Sequence, residues 1–69
     1  MTHSQITAAI HEAATAEGFN MSDTTTYWNF KDGWNSSMHA YVGGPARGFV
    51  WRMGRRAGIA FYMAQKAAG

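Results

Sequence analysis

A chain of 69 residues without cysteine is expected to form one small domain, residues 1–69, that no disulfide or cysteine-based zinc site can staple. A domain this small hides only about 60% of the surface its unfolded chain exposes, so it is marginally stable alone, and a homodimer that buries more surface is one reading. The net charge is +2, but all four acids (Glu12, Glu17, Asp23, Asp32) precede Gly33, while Arg47, Arg52, Arg55, Arg56 and Lys66 follow it with no acid among them; a polyanion-facing surface is one explanation of that asymmetry and plain solubility the other.

No apolar run approaches the roughly 18 residues of a membrane helix, so no membrane partner is expected. The first residues, MTHSQITAAIHEAA, show neither a basic n-region nor a continuous apolar h-region. No signal peptide is expected, and the absence of cysteine fits a reducing, cytoplasmic setting.

Residues 2–18 read as a helix. Thr2-His3-Ser4-Gln5 has the capping-box form, and Ile6, Ala9, Ile10, Ala13 and Ala14 recur at helical spacing. Gly18 suits the left-handed position after the last turn, with Phe19 packing back on it. Asn20 to Asp23 is a polar connector. Thr24 to Lys31 is rich in β-branched and aromatic residues, which favour strands. Asp32-Gly33 has the composition of a two-residue hairpin turn, with Trp34 to Val42 as the return strand ended by Gly43-Gly44-Pro45. Phe49 to Met53 reads as a third strand between Gly48 and Gly54. The last segment is ambiguous. Ala57, Ile59, Phe61 and Met63 alternate as in a fourth strand over 57–63, whereas MAQKAAG is strong helix-former composition. A helix from Arg55 to Ala68 is favoured, with Gly58 costing about 1 kcal/mol relative to alanine. The expected fold is therefore α+β: an N-terminal helix, a three-stranded antiparallel sheet with an Asp-Gly hairpin, and a C-terminal helix.

A two-residue turn at Asp32-Gly33 fixes the faces of that sheet. Tyr27, Trp34, Met38, Ala40 and Val42 share the side that suits a core. Trp28, Phe30, His39 and Tyr41 share the other, among Thr, Ser and Asn, which is the composition of a partner-binding aromatic face. The plainer readings are a dimer interface or a register shifted by one.

Few constellations carry chemistry. His11-Glu12 opens like a zinc-protease motif, but Thr15 stands where the second histidine belongs. GGPARG lacks the Gly-Lys-Ser/Thr of a phosphate-binding loop. Serines 4, 22, 36 and 37 fall at caps and turns, and no carboxylate pair or nucleophile–base pair has catalytic spacing. No catalytic residue, metal site or cofactor is expected, and the chain is not expected to be an enzyme. Arg55 and Arg56 form the strongest candidate site. Beside the N-terminus of a helix starting there, they would meet a phosphate that the helix dipole also favours. Arg47, Arg52 and Lys31 extend the patch; solvated arginines flanking an apolar segment are the bland alternative.

The element order helix, three strands, helix, with KDGWN (Lys31 to Asn35) between the first two strands and GRRAGIAFYMAQKAAG as the final helix, resembles the double-stranded RNA-binding domain. That resemblance implies contact with duplex RNA through the hairpin loop and the basic start of the last helix, reading shape more than sequence. Three functions compete. The first is non-enzymatic nucleic-acid binding, to duplex RNA or DNA, through Arg47, Arg52, Arg55, Arg56 and Lys31. The second is an inhibitor or adaptor, of the kind phages and mobile elements carry, docking on a single larger protein through Trp28, Phe30, His39 and Tyr41. The third is a homo-oligomeric structural protein. The acid-free second half favours the first.

Overall fold

The computed structural model describes residues 2–38 and 48–68. They form three α-helices: α1 (His3–Ala16), α2 (Thr24–Ser36) and α3 (Phe49–Ala68), with no strand among the described residues. The α+β expectation is corrected at its strands and hairpin, whereas the helix expected from Arg55 to Ala68 is present and starts earlier, at Phe49. The first strand and the Asp32-Gly33 hairpin lie inside α2, and the third strand (49–53) and the alternative strand at 57–63 lie inside α3. Of the return strand, residues 34–36 are helical and 39–42 fall outside the described residues. With no strand among the described residues, the element order that resembled the double-stranded RNA-binding domain is not found there.

The ends of α1 are written locally. The Gln5 amide donates to Thr2 Oγ1 at 3.2 Å, and the Thr2 amide donates back to Gln5 Oε1 at 2.8 Å. Two of the first turn's orphan donors are thereby satisfied. At the other end Gly18 has φ of +83°, where a side chain would be strained. Its amide reaches the Thr15 carbonyl at 2.9 Å, and the Phe19 amide reaches that of Ala14 at 3.0 Å, which closes the helix. Asp23 caps α2, accepting from the Thr26 amide at 3.1 Å, so the three threonines that follow occupy a first turn rather than a strand.

Glycine decides the rest. α2 and α3 pack backbone against backbone at Gly33, Gly54 and Gly58, all buried. A Cβ at Gly33 would collide with the Trp51 carbonyl oxygen, one at Gly54 with the Phe30 carbonyl oxygen, and one at Gly58 with Ser37 Oγ. Gly54 and Gly58 are four apart, on one face of α3. The glycine that resembled a hairpin turn is thus there for close approach, a use that sequence periodicity does not separate from a turn. Phe30 meets Gly54, Ser37 meets Gly58, and Trp34 reaches Phe61 and Tyr62, so the contact extends over about two turns of each helix.

Side chains lock this pair. The Trp51 indole donates to Asp32 Oδ2 at 2.8 Å, and the Trp34 indole points to Tyr62 Oη at 3.4 Å. Phe30 and Trp34 are fully buried, each contributing about 1.5–3 kcal/mol by leaving water. α1 joins through Ile10 and Ala14, which close the core over those two rings. The close approach at Gly58 also answers its apparent penalty: the propensity lost in α3 is exchanged for a contact that no larger residue permits.

Candidate nucleic-acid interface

α3 is a rod of 20 residues, about 30 Å long, held on two flanks. Trp51, Gly54 and Gly58 face α2. Met53, Ala57, Ala60 and Phe61 face the side of α1, where an apolar groove of about 550 Å³ opens between Ala9, Ala13 and Ala16 on α1 and Ala57, Ala60 and Phe61 on α3. Glu12 and Glu17 stand at its margin.

The third flank is open. Phe49, Arg52, Arg56, Ile59, Met63 and Lys66 recur at alternating spacings of three and four, which at 100° per residue puts them in one stripe about 100° wide. All six are exposed, Met63 by 66% and Phe49 by 60%. α3 contains no acid. Lys66, in the last turn, also complements the helix dipole. This stripe is where the excess positive charge of the second half becomes a surface. The heptad spacing that reveals it was present in the sequence but is legible only once residues 49–54 are known to be helical.

The residues expected to bind nucleic acid are dispersed. Arg52 and Arg56 lie on the stripe one turn apart. Arg55 turns aside and donates to the Ser36 carbonyl oxygen at 2.7 Å and to Ser36 Oγ at 3.2 Å, tying α3 to the end of α2. Because α3 starts at Phe49 rather than Arg55, Arg55 and Arg56 are in its second turn and not at a phosphate-binding N-terminus. Lys31 belongs to α2, with its ammonium 5.4 Å from the Tyr27 ring centroid and 5.3 Å from that of Trp28, a cation–π arrangement. Arg47 lies outside the described residues.

The aromatic face expected on a sheet is divided in the same way. On a helix, Trp28 and Phe30 are 200° apart. Phe30 is fully buried, whereas Trp28 is 58% exposed. Trp28 lies about 170° around α2 from the face that packs on α3, so α2 stands between Trp28 and the basic stripe. His39 and Tyr41 fall outside the described residues. A different aromatic group exists that alternation did not suggest: His11 of α1 packs on Tyr27 at 5.6 Å, and Tyr27 on Trp28 at 5.3 Å, edge to face. This cluster links α1 to α2 beside Lys31.

Among the described residues, no three His, Asp or Glu side chains are grouped to hold a metal ion, and no helix is long and apolar enough to cross a membrane. Comparison with protein-family models, curated proteins and solved structures gives no match to this chain.

Proposed function

We propose that the chain is a non-enzymatic nucleic-acid-binding protein whose contact surface is the open flank of α3. The observation that carries this reading is the set Arg52, Arg56 and Lys66, exposed along one side of a rigid helix that contains no acid. Long cations on a rod can follow a line of phosphates without reorganising the fold, and each phosphate neutralised releases condensed counterions. Arginine adds bidentate geometry to that attraction. Other occupants fit less well. The core of a protein–protein interface is depleted of charge, and half of this stripe is charged. A second copy of the chain would set cation against cation along the seam. The reading puts the chain in the cytoplasm with its ligand.

An inhibitor or adaptor that docks through Trp28 is the second reading, favoured by the 58% exposure of that ring. Against it, its neighbours on the helix surface are Tyr27 and Lys31, already engaged with one another at 3.4 Å, rather than a broad apolar patch.

The test is fluorescence anisotropy of labelled duplex DNA titrated with the chain across about 50–200 mM salt. Three phosphate contacts give a slope of log K against log salt of about −2.7, or roughly fortyfold weaker binding over that range. Arg52→Ala with Arg56→Ala is expected to flatten the slope by about 2. Absence of binding at the lowest salt defeats the reading and returns attention to Trp28.

A further inference from the structure

The open flank of α3 carries an order as well as a charge. From the N-terminal side it reads Phe49, Arg52, Arg56, Ile59, Met63, Lys66. An exposed ring opens it, and the apolar pair Ile59 and Met63 is then flanked by cations on both sides. A surface meant only for phosphates gains nothing from exposing Ile59 and Met63, at 38% and 66%. Taking the nucleic-acid reading as its premise, we propose that α3 lies in the major groove of B-form DNA, with Ile59 and Met63 against thymine methyl groups and the flanking cations on the phosphates of the two strands.

Dimensions support this placement. Arg56 and Lys66 are ten residues apart, about 15 Å along the helix. The major groove is about 12 Å wide and admits a helix lying along it, so the stripe faces its floor while the long arginine and lysine side chains reach the phosphates along its walls. Ile59 and Met63 are one turn apart, about 6 Å between Cβ atoms. That is close to two base-pair steps of 3.4 Å. Thymine is the base that presents an apolar group in this groove, its 5-methyl. α2 lies on another flank of α3, while the end of α1 and the residue after Gly18 border the start of the stripe, where Arg56 shares a hollow with Glu17 and the Phe49 ring packs on Phe19.

The same geometry argues against other nucleic acids. A-form RNA has a deep, narrow major groove that side chains do not read. Single strands are held by stacking on successive rings, and the stripe carries one exposed ring, Phe49 at its start, while Trp28, with Lys31 beside it, is on the far side of α2.

The experiment uses the whole chain and four probes at about 50 mM salt, where phosphate contacts are strong: an alternating A·T DNA duplex, the same duplex with every thymine replaced by deoxyuridine, the corresponding A·U RNA duplex, and vesicles of equal phosphatidylserine and phosphatidylcholine. The alternating duplex offers a methyl at every base pair, so the readout does not depend on where the helix lands. The expected result is binding to thymine DNA that weakens about fourfold for each methyl no longer desolvated in deoxyuridine DNA, with RNA weaker still. Ile59→Ser with Met63→Ser is expected to erase the thymine–deoxyuridine difference while leaving the salt slope unchanged. Equal affinity for thymine DNA, deoxyuridine DNA and RNA overturns the groove placement and leaves simple phosphate binding standing. Binding to vesicles with no binding to any duplex overturns both.

Discussion

The two sides of α3 are made of opposite materials. The side facing α2 is glycine and rings: Gly54 and Gly58 let the backbones touch, and Trp51 and Tyr62 bond across the contact to Asp32 and Trp34. The open flank is long side chains, Arg52, Arg56, Ile59, Met63 and Lys66, all exposed. The first side tolerates almost no added atom. The second has room for any. The difference teaches that one helix separates folding from recognition by angle alone, and that substitutions 100–150° apart on it report on different properties. Substitution on the glycine side tests the fold, whereas substitution on the open flank tests binding.

The largest expected effect is at Gly54. A β-branched side chain there meets the Phe30 carbonyl, and backbone cannot step aside as a flexible side chain does. Gly54→Val is expected to cost about 3 kcal/mol or more, the upper end of overpacking, which is most of the stability of so small a domain. Thermal unfolding followed by circular dichroism reads it. A variant that melts within a few degrees of the parent shows that α2 and α3 are not in backbone contact, and the comparison collapses.

Gly58→Ala is a finer probe. Alanine gains about 1 kcal/mol of helix propensity, but its Cβ meets Ser37 Oγ and lies 2.9 Å from the Trp34 carbonyl oxygen. Clash outweighs propensity, and a net loss of about 1–2 kcal/mol is expected. Ser37→Ala removes one of the colliding atoms. In a double-mutant cycle the pair should recover about 0.5 kcal/mol or more of that loss. Strict additivity in urea denaturation would place Ser37 away from Gly58.

This pair of sites also explains what was and was not legible in the sequence. α1 could be read because its signals are local: the Thr2–Gln5 box and the Gly18 stop each act within a few residues, and the apolar stripe repeats at one period. α2 could not. Thr24 to Lys31 has strand composition, and Asp32-Gly33 resembles a hairpin turn, yet what selects helix is contact with α3, some twenty residues on, which local propensity does not contain. A glycine required by a turn and one required by a neighbouring backbone are identical in sequence. Mistaking the second for the first made a sheet of two helices. The candidate site suffered the same error in part. Charge asymmetry marks which half of the chain holds the cations, but which of them share a surface depends on period. At helical period Arg52 and Arg56 join Ile59, Met63 and Lys66, while Arg55 goes to Ser36 and Lys31 to Trp28.

A smaller effect belongs to α1, which is away from the glycine contact. Thr2→Ala removes the cap that accepts from the Gln5 amide and should cost about 0.5–1 kcal/mol. That corresponds to a lowering of the melting temperature by a few degrees. DNA affinity should not change, because α3 keeps its orientation through α2. A loss of affinity with this variant would mean that α1, or the groove beside it, takes part in binding.

The smallest effect on stability is expected where the effect on binding is largest. Arg52→Ala, Arg56→Ala, Ile59→Ser and Met63→Ser alter exposed side chains, and surface changes away from packing usually stay within about 0.5 kcal/mol. Of the two apolar ones Ile59 is the less exposed, at 38% against 66% for Met63, so it sets their upper limit. These four variants should melt almost with the parent while Gly54→Val does not, although Arg56 and Gly54 are two residues apart in sequence. If Ile59→Ser or Met63→Ser instead destabilises by 2 kcal/mol or more, the scale of a buried aliphatic truncation, the open flank is not open in solution. Light scattering that shows the parent as an oligomer would then identify the cover as a second copy of the chain. With the parent monomeric and the variants stable, the exposed apolar pair between cations has no folding role, and recognition is what remains to account for it.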